Sequence, residues 1–334
     1  RCELFMPRIG MNPARNRQSG YHPARLTLAV LTHVPNLAGY FKDRFDVLRL
    51  CLESLIVNTP EPYDLIVFDN ASCPPVIDYL RGLRDEGHID YLMLSSQNIG
   101  KIGALQLLFR ACPGELIAYN DDDVFFLPGW LDAHLRILET YPKTGMVTGF
   151  YIRSHMSYAV KSERAFASYP GVQTREGFLI ERKWEQHYIN NMGRTWEKYQ
   201  EEIHGCQDLE FTYQGVTALA SAGHHQFIAP KQVLLEALPK EWSGQLMGKM
   251  LELDETIDGM GYLRLSTSEY VTRLLGNAVS AENAALAKSL GIDTALVKIH
   301  QDKKPSPLTR FFHIPIVKRA ATALYNRLHV LVNS

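Results

Sequence analysis

The chain has 334 residues, 46% of them hydrophobic and 21% charged, an ordinary globular composition with enough apolar material for a sizeable core. A net charge of −1 gives no bulk attraction for nucleic acid, and no run of about 18 apolar residues offers a transmembrane helix. Five scattered cysteines (Cys2, Cys51, Cys73, Cys112 and Cys206) make neither a disulfide framework nor a zinc pattern, and with no signal peptide in view a reduced, cytoplasmic setting is expected.

Leu26–Thr32 (LTLAVLT) is a short apolar run, read as a buried strand. Arg44–Thr59 repeats apolar residues at helical spacing. Asp64–Asn70 (DLIVFDN) reads as a second strand, followed by a Pro-opened helix from Pro75 to about Glu86. Ile89–Leu94 is a third strand, Ile102–Cys112 a helix stopped by Pro113-Gly114, and Glu115–Asn120 a fourth strand. Pro128–Pro142 is a helix and Gly145–Phe150 a fifth strand. This alternation predicts an α/β fold, a mostly parallel Rossmann-like sheet flanked by helices.

From about Tyr151 to Ala222 the rhythm breaks into a polar, aromatic stretch without a clean period, expected to be an inserted region that builds an acceptor site. QFIAP then reads as a strand, KQVLLEAL and GKMLELDETIDGMG as helices, and EYVTRLLG as a last strand. Beyond Val297, seven basic residues face one acid, so the tail carries +6 and the rest −7 of the net −1. The tail is amphipathic as well as basic, and suits either an anionic membrane surface or packing on the domain or a second subunit. The expected organisation is an N-terminal extension (1–25), a ligand-binding half (26–150), a second half of the same domain (151–295) and a C-terminal helical tail (296–334).

The chemistry concentrates in AYNDDDVFFLPGW. Asp121, Asp122 and Asp123 stand at the carboxyl end of the fourth strand, Asp69 at that of the second and Thr32-His33 at that of the first. Ligands of such sheets bind beyond the carboxyl ends of the strands. Three adjacent carboxylates need positive charge nearby. They are hard oxygen ligands suited to Mg²⁺ or Mn²⁺, which would take a diphosphate as a further ligand; the plain alternative is a solvated turn. Alternation along a strand puts Asp121 and Asp123 on one side. Asp69 with Asn70 could bind a base or ribose or simply form a turn. Asn98–Ala104 (NIGKIGA) places Gly100 and Gly103 around Lys101 at a helix start, where free N–H groups suit phosphate.

Together LAVLTHVPN, LRLCLESLIVNT, DLIVFDNAS, QNIGKIGALQLLFRACPGELIAYNDDDVFFLPGWL and GMVTG, spanning roughly Leu26 to Gly149, resemble the family 2-like glycosyltransferases of the A-type, nucleotide-sugar-binding fold. The resemblance implies a nucleotide diphosphate sugar donor, a hydroxyl acceptor, a divalent cation and an inverting mechanism; the basic tail, if it lies on a membrane, would suit a carbohydrate or lipid-linked acceptor in cell-surface polysaccharide or glycolipid assembly on the inner face of that membrane. It gives Thr32 and Asp69 to base and ribose, with His33, Asn70, Asn98, Lys101 and Gly103 beside the nucleotide. It makes Asp121 and Asp123 the metal-binding pair, with Asp122 facing the donor sugar or ribose. His33 stands where the family often has tyrosine. The family's late-helix carboxylate base finds its nearest counterparts in ELDETIDGMGY, as Asp254, Glu255 or Asp258; Asp254 and Asp258, four apart, share a helical face. A late histidine before glycine, a further metal ligand in many relatives, is replaced by leucine in RLLGN, leaving His224 or His225 as substitutes for that ligand. Two rival readings are a catalytically inactive nucleotide-sugar-binding protein and a sugar-phosphate nucleotidyltransferase, whose Gly-rich opening loop LTHVPN lacks.

Overall fold

The computed structural model describes residues 10–12, 14–242, 244–295 and 297–300. The basic tail beyond His300, with Cys2, lies outside the described residues.

Strands β1 (Leu26–Thr32), β2 (Asp64–Asn70), β3 (Tyr91–Ser95) and β4 (Leu116–Asp121) alternate with helices α1 (Arg44–Asn58), α2 (Pro74–Asp85) and α3 (Lys101–Ala111). A short β5 (Val124–Phe126), α4 (Trp130–Thr140) and β6 (Thr144–Thr148) follow. The stretch expected to be an insertion holds α5 (Lys161–Phe166), β7 (Gln173–Gly177), α6 (Arg182–Asn191), α7 (Trp196–Glu202), β8 (Asp208–Tyr213) and β9 (Val216–Ala220). The chain continues through β10 (Gln226–Pro230), α8 (Lys231–Ala237), α9 (Met250–Gly259), β11 (Leu263–Thr267), β12 (Thr272–Leu274) and α10 (Ala281–Ser289).

One ten-stranded sheet runs in the order β3-β2-β1-β4-β10-β6-β11-β9-β8-β7. Strands β1, β2, β3, β4, β6, β8 and β11 point one way and β7, β9 and β10 the other. All seven residues of β1 and of β2 are buried, as befits strands covered on both faces. Leu28 and Val30 of β1 pack with α1 and α2, while Ala29 and Leu31 pack with α3, α8 and α9. A third core under α4 gathers the aromatics of residues 150–213. Tyr151, Tyr188 and Tyr199 are buried there, and Trp184 stacks on Tyr270 at 4.2 Å, so most of the insertion's aromatic content is core.

The insertion extends the sheet instead of forming a layer of its own. Its β8–β9 hairpin turns on Gln214 and Gly215, both at positive φ (49° and 79°), the geometry that suits the twist of a two-residue hairpin. The last strand read from sequence is shorter than expected: Thr272–Leu274 pairs antiparallel with Val124–Phe126, outside the main sheet.

The strand that matters most for the site is β10. It lies antiparallel between β4 and β6, with Gln226 opposite Asn120. An antiparallel strand begins where its neighbours end, so the residues just before it, His224 and His225, arrive at the carboxyl edge of β4.

Candidate active site

The aspartate triplet divides as strand alternation requires. Asp121 and Asp123 line one cavity of about 510 Å³, with side chains 25% and 29% exposed. Asp122 points inward, where Thr32 Oγ1 donates to it at 2.6 Å and Arg44 pairs with it. This corrects two expectations: Asp122 does not face a donor sugar, and the Thr32 hydroxyl is spent inside the protein.

Two cations from distant helices neutralise the triplet. Lys101 Nζ donates to both oxygens of Asp121 at 2.7 and 2.8 Å, and Tyr119 OH donates to the same carboxylate at 2.5 Å. Arg44 Nη1 donates to Asp123 Oδ2 at 2.9 Å and to the Gly276 carbonyl at 3.1 Å. Burial works against the charge on Asp121, but Lys101 outweighs it and holds the carboxyl below its ordinary range. At Asp123 burial wins, helped by Asp121 and Asp122 against Arg44, and the pKa is raised. Burial also opposes the charge on Arg44; Asp122 and then Asp123 more than restore it. Arg44 escaped the sequence reading, yet it left a signal. It sits three and four residues before Val47 and Leu48, on the buried stripe of α1, where a lone arginine needs a carboxylate.

The other expected nucleotide contacts form a knot. His33 Nδ1 donates to the Asn70 carbonyl at 2.7 Å, and Asn98 Nδ2 donates to His33 Nε2 at 3.1 Å. Asn70 Nδ2 donates to Asn98 Oδ1 at 3.0 Å, and Asn98 Oδ1 also accepts from the Gly100 N–H at 2.8 Å. The knot ties the ends of β1 and β2 to the start of α3. Asp69 is fully buried; its Oδ2 accepts from Ser72 N–H at 3.0 Å, while Oδ1 has no hydrogen-bond partner among the described residues. Burial, more than any neighbour, raises its pKa.

The start of α3 is not open to phosphate. The Lys101 N–H donates to the Leu246 carbonyl at 2.7 Å, and a Cβ on Gly103 would lie 3.1 Å from the Trp242 indole nitrogen. A side chain at Gly103 would crowd Trp242, which packs there.

The three carboxylates of α9 have three different fates. Asp258 accepts the backbone N–H groups of Lys161 (3.2 Å) and Ser162 (2.7 Å) and so fastens the start of α5; its expected catalytic role is not what its geometry serves. Glu255 is exposed and lines a neighbouring cavity of about 420 Å³ with Lys101, His224 and Met247. Asp254 is wholly buried, with His224 Nδ1 at 2.9 Å and Arg264 Nη2 at 3.3 Å. His224, His225 and His155 all line the cavity that holds Asp121 and Asp123. The His225 carbonyl accepts the Asp121 N–H at 2.8 Å, which fixes this pair of histidines against the triplet. Burial, above all, pulls His155 and His225 below the ordinary histidine pKa.

Behind this wall Arg264 donates to the Ala159 and Ala222 carbonyls at 2.7 and 2.6 Å, and its N–H donates to Glu163 Oε1 at 2.5 Å. Burial raises the Glu163 pKa from 4.5 to about 7, with Arg264 opposing. Between those values the folded protein holds a proton that the unfolded chain has released. This group therefore favours folding most below pH 4.5, and that contribution is lost as pH rises towards 7. Glu163→Gln is expected to flatten the fall in melting temperature across that window; an unchanged slope would place the proton elsewhere.

Among the described residues no group of three His, Cys, Asp or Glu side chains is set to hold a metal ion. The donor set still fits a hard divalent ion that completes its shell with diphosphate and water, since two carboxylates face one cavity. Such an ion would share Asp121 and Asp123 with Lys101 and Arg44.

A mostly parallel α/β sheet with acidic residues gathered at its carboxyl edge is the architecture that the resemblance to the A-type glycosyltransferases leads one to expect. Residues 40–203, just under half of the chain, match the family model "Glycosyl transferase family 2". Among solved structures, a mannosyltransferase from Pyrobaculum calidifontis in complex with GDP-Man and Mn²⁺ is 20% identical, with a TM-score of 0.32 over 40% of this chain and 37% of that one. TarS 1–349 of S. aureus is 13% identical, with a TM-score of 0.41 over 75% of this chain and 60% of that one. The chain thus spans less than two thirds of either structure. No curated protein matches it in sequence.

Proposed function

We propose that the protein transfers a sugar from a nucleoside diphosphate sugar to a hydroxyl acceptor with inversion, in a divalent-cation-dependent reaction. The observation that carries this reading is the convergence of Asp121 and Asp123 with the histidine wall on one cavity at the carboxyl edge of the sheet. A Mn²⁺ or Mg²⁺ ion held by Asp121 and Asp123 would offset the charge that grows on the departing diphosphate. Lys101 and Arg44, released from those carboxylates in part, are the chain's own cations for the same task. The orphaned Oδ1 of Asp69 is an acceptor for an N–H of a bound base or a ribose hydroxyl. The acceptor is a carbohydrate or a lipid-linked glycan. The basic amphipathic tail would bring the enzyme to an anionic membrane surface on the cytoplasmic side, which flotation with liposomes, with and without residues 306–334, would test.

The direct test is calorimetric titration of UDP, GDP, dTDP and CDP with and without Mn²⁺. Binding of one nucleotide, strengthened by Mn²⁺, is the expected result and names the donor class. Folded protein that binds none of the four would sink the reading. Binding of a nucleotide without consumption of its sugar, whatever the acceptor, would favour an inactive sugar-binding protein.

A further inference from the structure

Three carboxylates of α9 are available by sequence to take the acceptor proton, but the structure leaves none of them in position to touch an acceptor beside Asp121 and Asp123. Asp258 is committed to the backbone of α5. Glu255 faces the neighbouring cavity. Asp254 is 0% exposed and pairs with His224, which does line the triplet's cavity.

We infer that His224 is the group that accepts the proton of the acceptor hydroxyl, with Asp254 acting through it as a positioning residue. The inference deepens the glycosyltransfer reading above and rests on it. Three observations carry it. His224 Nδ1 lies 2.9 Å from Asp254 Oδ2, and a carboxylate can only accept, so Nδ1 bears hydrogen and Nε2 keeps its lone pair. The His224 side chain is 30% exposed, and it lines both the cavity that contains Asp121 and Asp123 and the one that contains Lys101 and Glu255. It therefore stands on the wall common to the two cavities, and unlike Glu255 it lines the one that holds Asp121 and Asp123. Its segment is fixed where the next residue's carbonyl accepts the Asp121 N–H, and its ring, besides the bond to Asp254, lies parallel to that of His155 at 6.2 Å with 13° between the planes.

In the step itself the acceptor O–H proton passes to His224 Nε2 while the acceptor oxygen bonds to the anomeric carbon. The bond from that carbon to the diphosphate oxygen breaks, and the electron pair leaves with the nucleoside diphosphate. The imidazolium formed is stabilised by Asp254 and returns its proton to water through its exposed edge. This is the logic of a buried carboxylate that orients a histidine and favours its charged form. It differs from direct deprotonation by a late-helix carboxylate.

The test uses water as acceptor, so that no glycan need be known: release of nucleoside diphosphate from UDP-glucose, UDP-N-acetylglucosamine, GDP-mannose and dTDP-rhamnose, with nucleotide binding followed in parallel. His224→Gln is expected to lower kcat by about 100-fold or more with nucleotide affinity and melting temperature kept, in the range of general-base effects. His224→Ala should lose as much and regain part of it on addition of imidazole. Asp254→Asn should lower kcat with KM unchanged, and should remove the imidazole rescue when combined with His224→Ala. Wild-type turnover in His224→Gln, or loss of turnover in Glu255→Gln in its place, would overturn the assignment of His224 alone. Absence of binding of all four nucleotides to the wild type would overturn the glycosyltransfer reading, and this inference with it.

Discussion

Asp123→Ala is expected to lower sugar transfer by about 10²–10³-fold, roughly 3–4 kcal/mol of transition-state stabilisation, with little change in melting temperature. The separation of the two effects follows from how the triplet is divided. Asp123 is on the cavity side, and its carboxylate shares Arg44 with Asp122. Removing it leaves Arg44 paired with Asp122 and bonded to the Gly276 carbonyl, so no buried cation is orphaned. What is lost is one of the two carboxylates that face the cavity. Asp122→Ala is the contrasting variant. It strips both Thr32 and Arg44 of an interior partner and should appear first as lost stability. Turnover of Asp123→Ala equal to wild type, measured as nucleoside diphosphate release, would remove Asp123 from the reaction.

The second large effect is on folding. Arg153→Met is expected to cost about 3–5 kcal/mol, read from urea denaturation, because it leaves two buried carboxylates without their cation. Arg153 grips Asp208 through Nε at 2.7 Å and Nη2 at 2.9 Å, and pairs with Glu185 through Nη1. Tyr151 OH donates to Asp208 at 2.9 Å and Tyr199 OH to Glu185 at 3.0 Å. One guanidinium thus joins the segment after β6, α6, α7 and β8. Against a total stability of about 5–15 kcal/mol for an ordinary domain, the loss is a large fraction. Arg164→Met, which breaks the exposed pair with Glu176, should cost under about 1 kcal/mol and serves as the reference. Equal costs for the two would mean that the buried network contributes no more than a surface pair.

Much of the first half was legible. Leu26–Thr32 and Asp64–Asn70 form strands with the bounds that their apolar runs indicate, and α2 differs by one residue at each end from its Pro-opened pattern. The shared side of Asp121 and Asp123 was implied by strand alternation, whereas the inward turn of Asp122 onto Thr32 and Arg44 was not expected. The second half was not legible, for reasons that specific residues explain. Gln173–Gly177 is an exposed edge strand of polar residues, without an apolar face to show. Leu263–Thr267 is interrupted by an arginine, which reads as surface. Arg264 is wholly buried because carbonyls of two distant loops and two carboxylates surround it. The same limit applies at the site. Periodicity reports which face a residue occupies, but not that Arg44 meets Asp122 across 78 residues, or His224 meets Asp254 across 30. Nor did the apolar run QFIAP reveal its direction, and direction is what delivers the histidines to the carboxyl edge.

The reversed strand β10 also sets a schedule for synthesis. Strand β4 has β1 on one side and β10 on the other, and β10 separates it from β6. When a ribosome has finished Asp121, the whole far flank of β4 is a row of free N–H and C=O groups, and its covering strand begins only at Gln226. At about 5–20 residues per second that flank stays open for roughly 5–20 s. An unpaired, apolar edge is a template for pairing with another chain. During that interval β6 is available beside β4 without the spacer it needs. Direct β4–β6 pairing would close the sheet with no place left for β10, and would strand the histidines outside. Yield of soluble protein should therefore depend on what shields residues 116–121 while residues 122–230 are being made, an interval in which the finished enzyme's stability offers no protection.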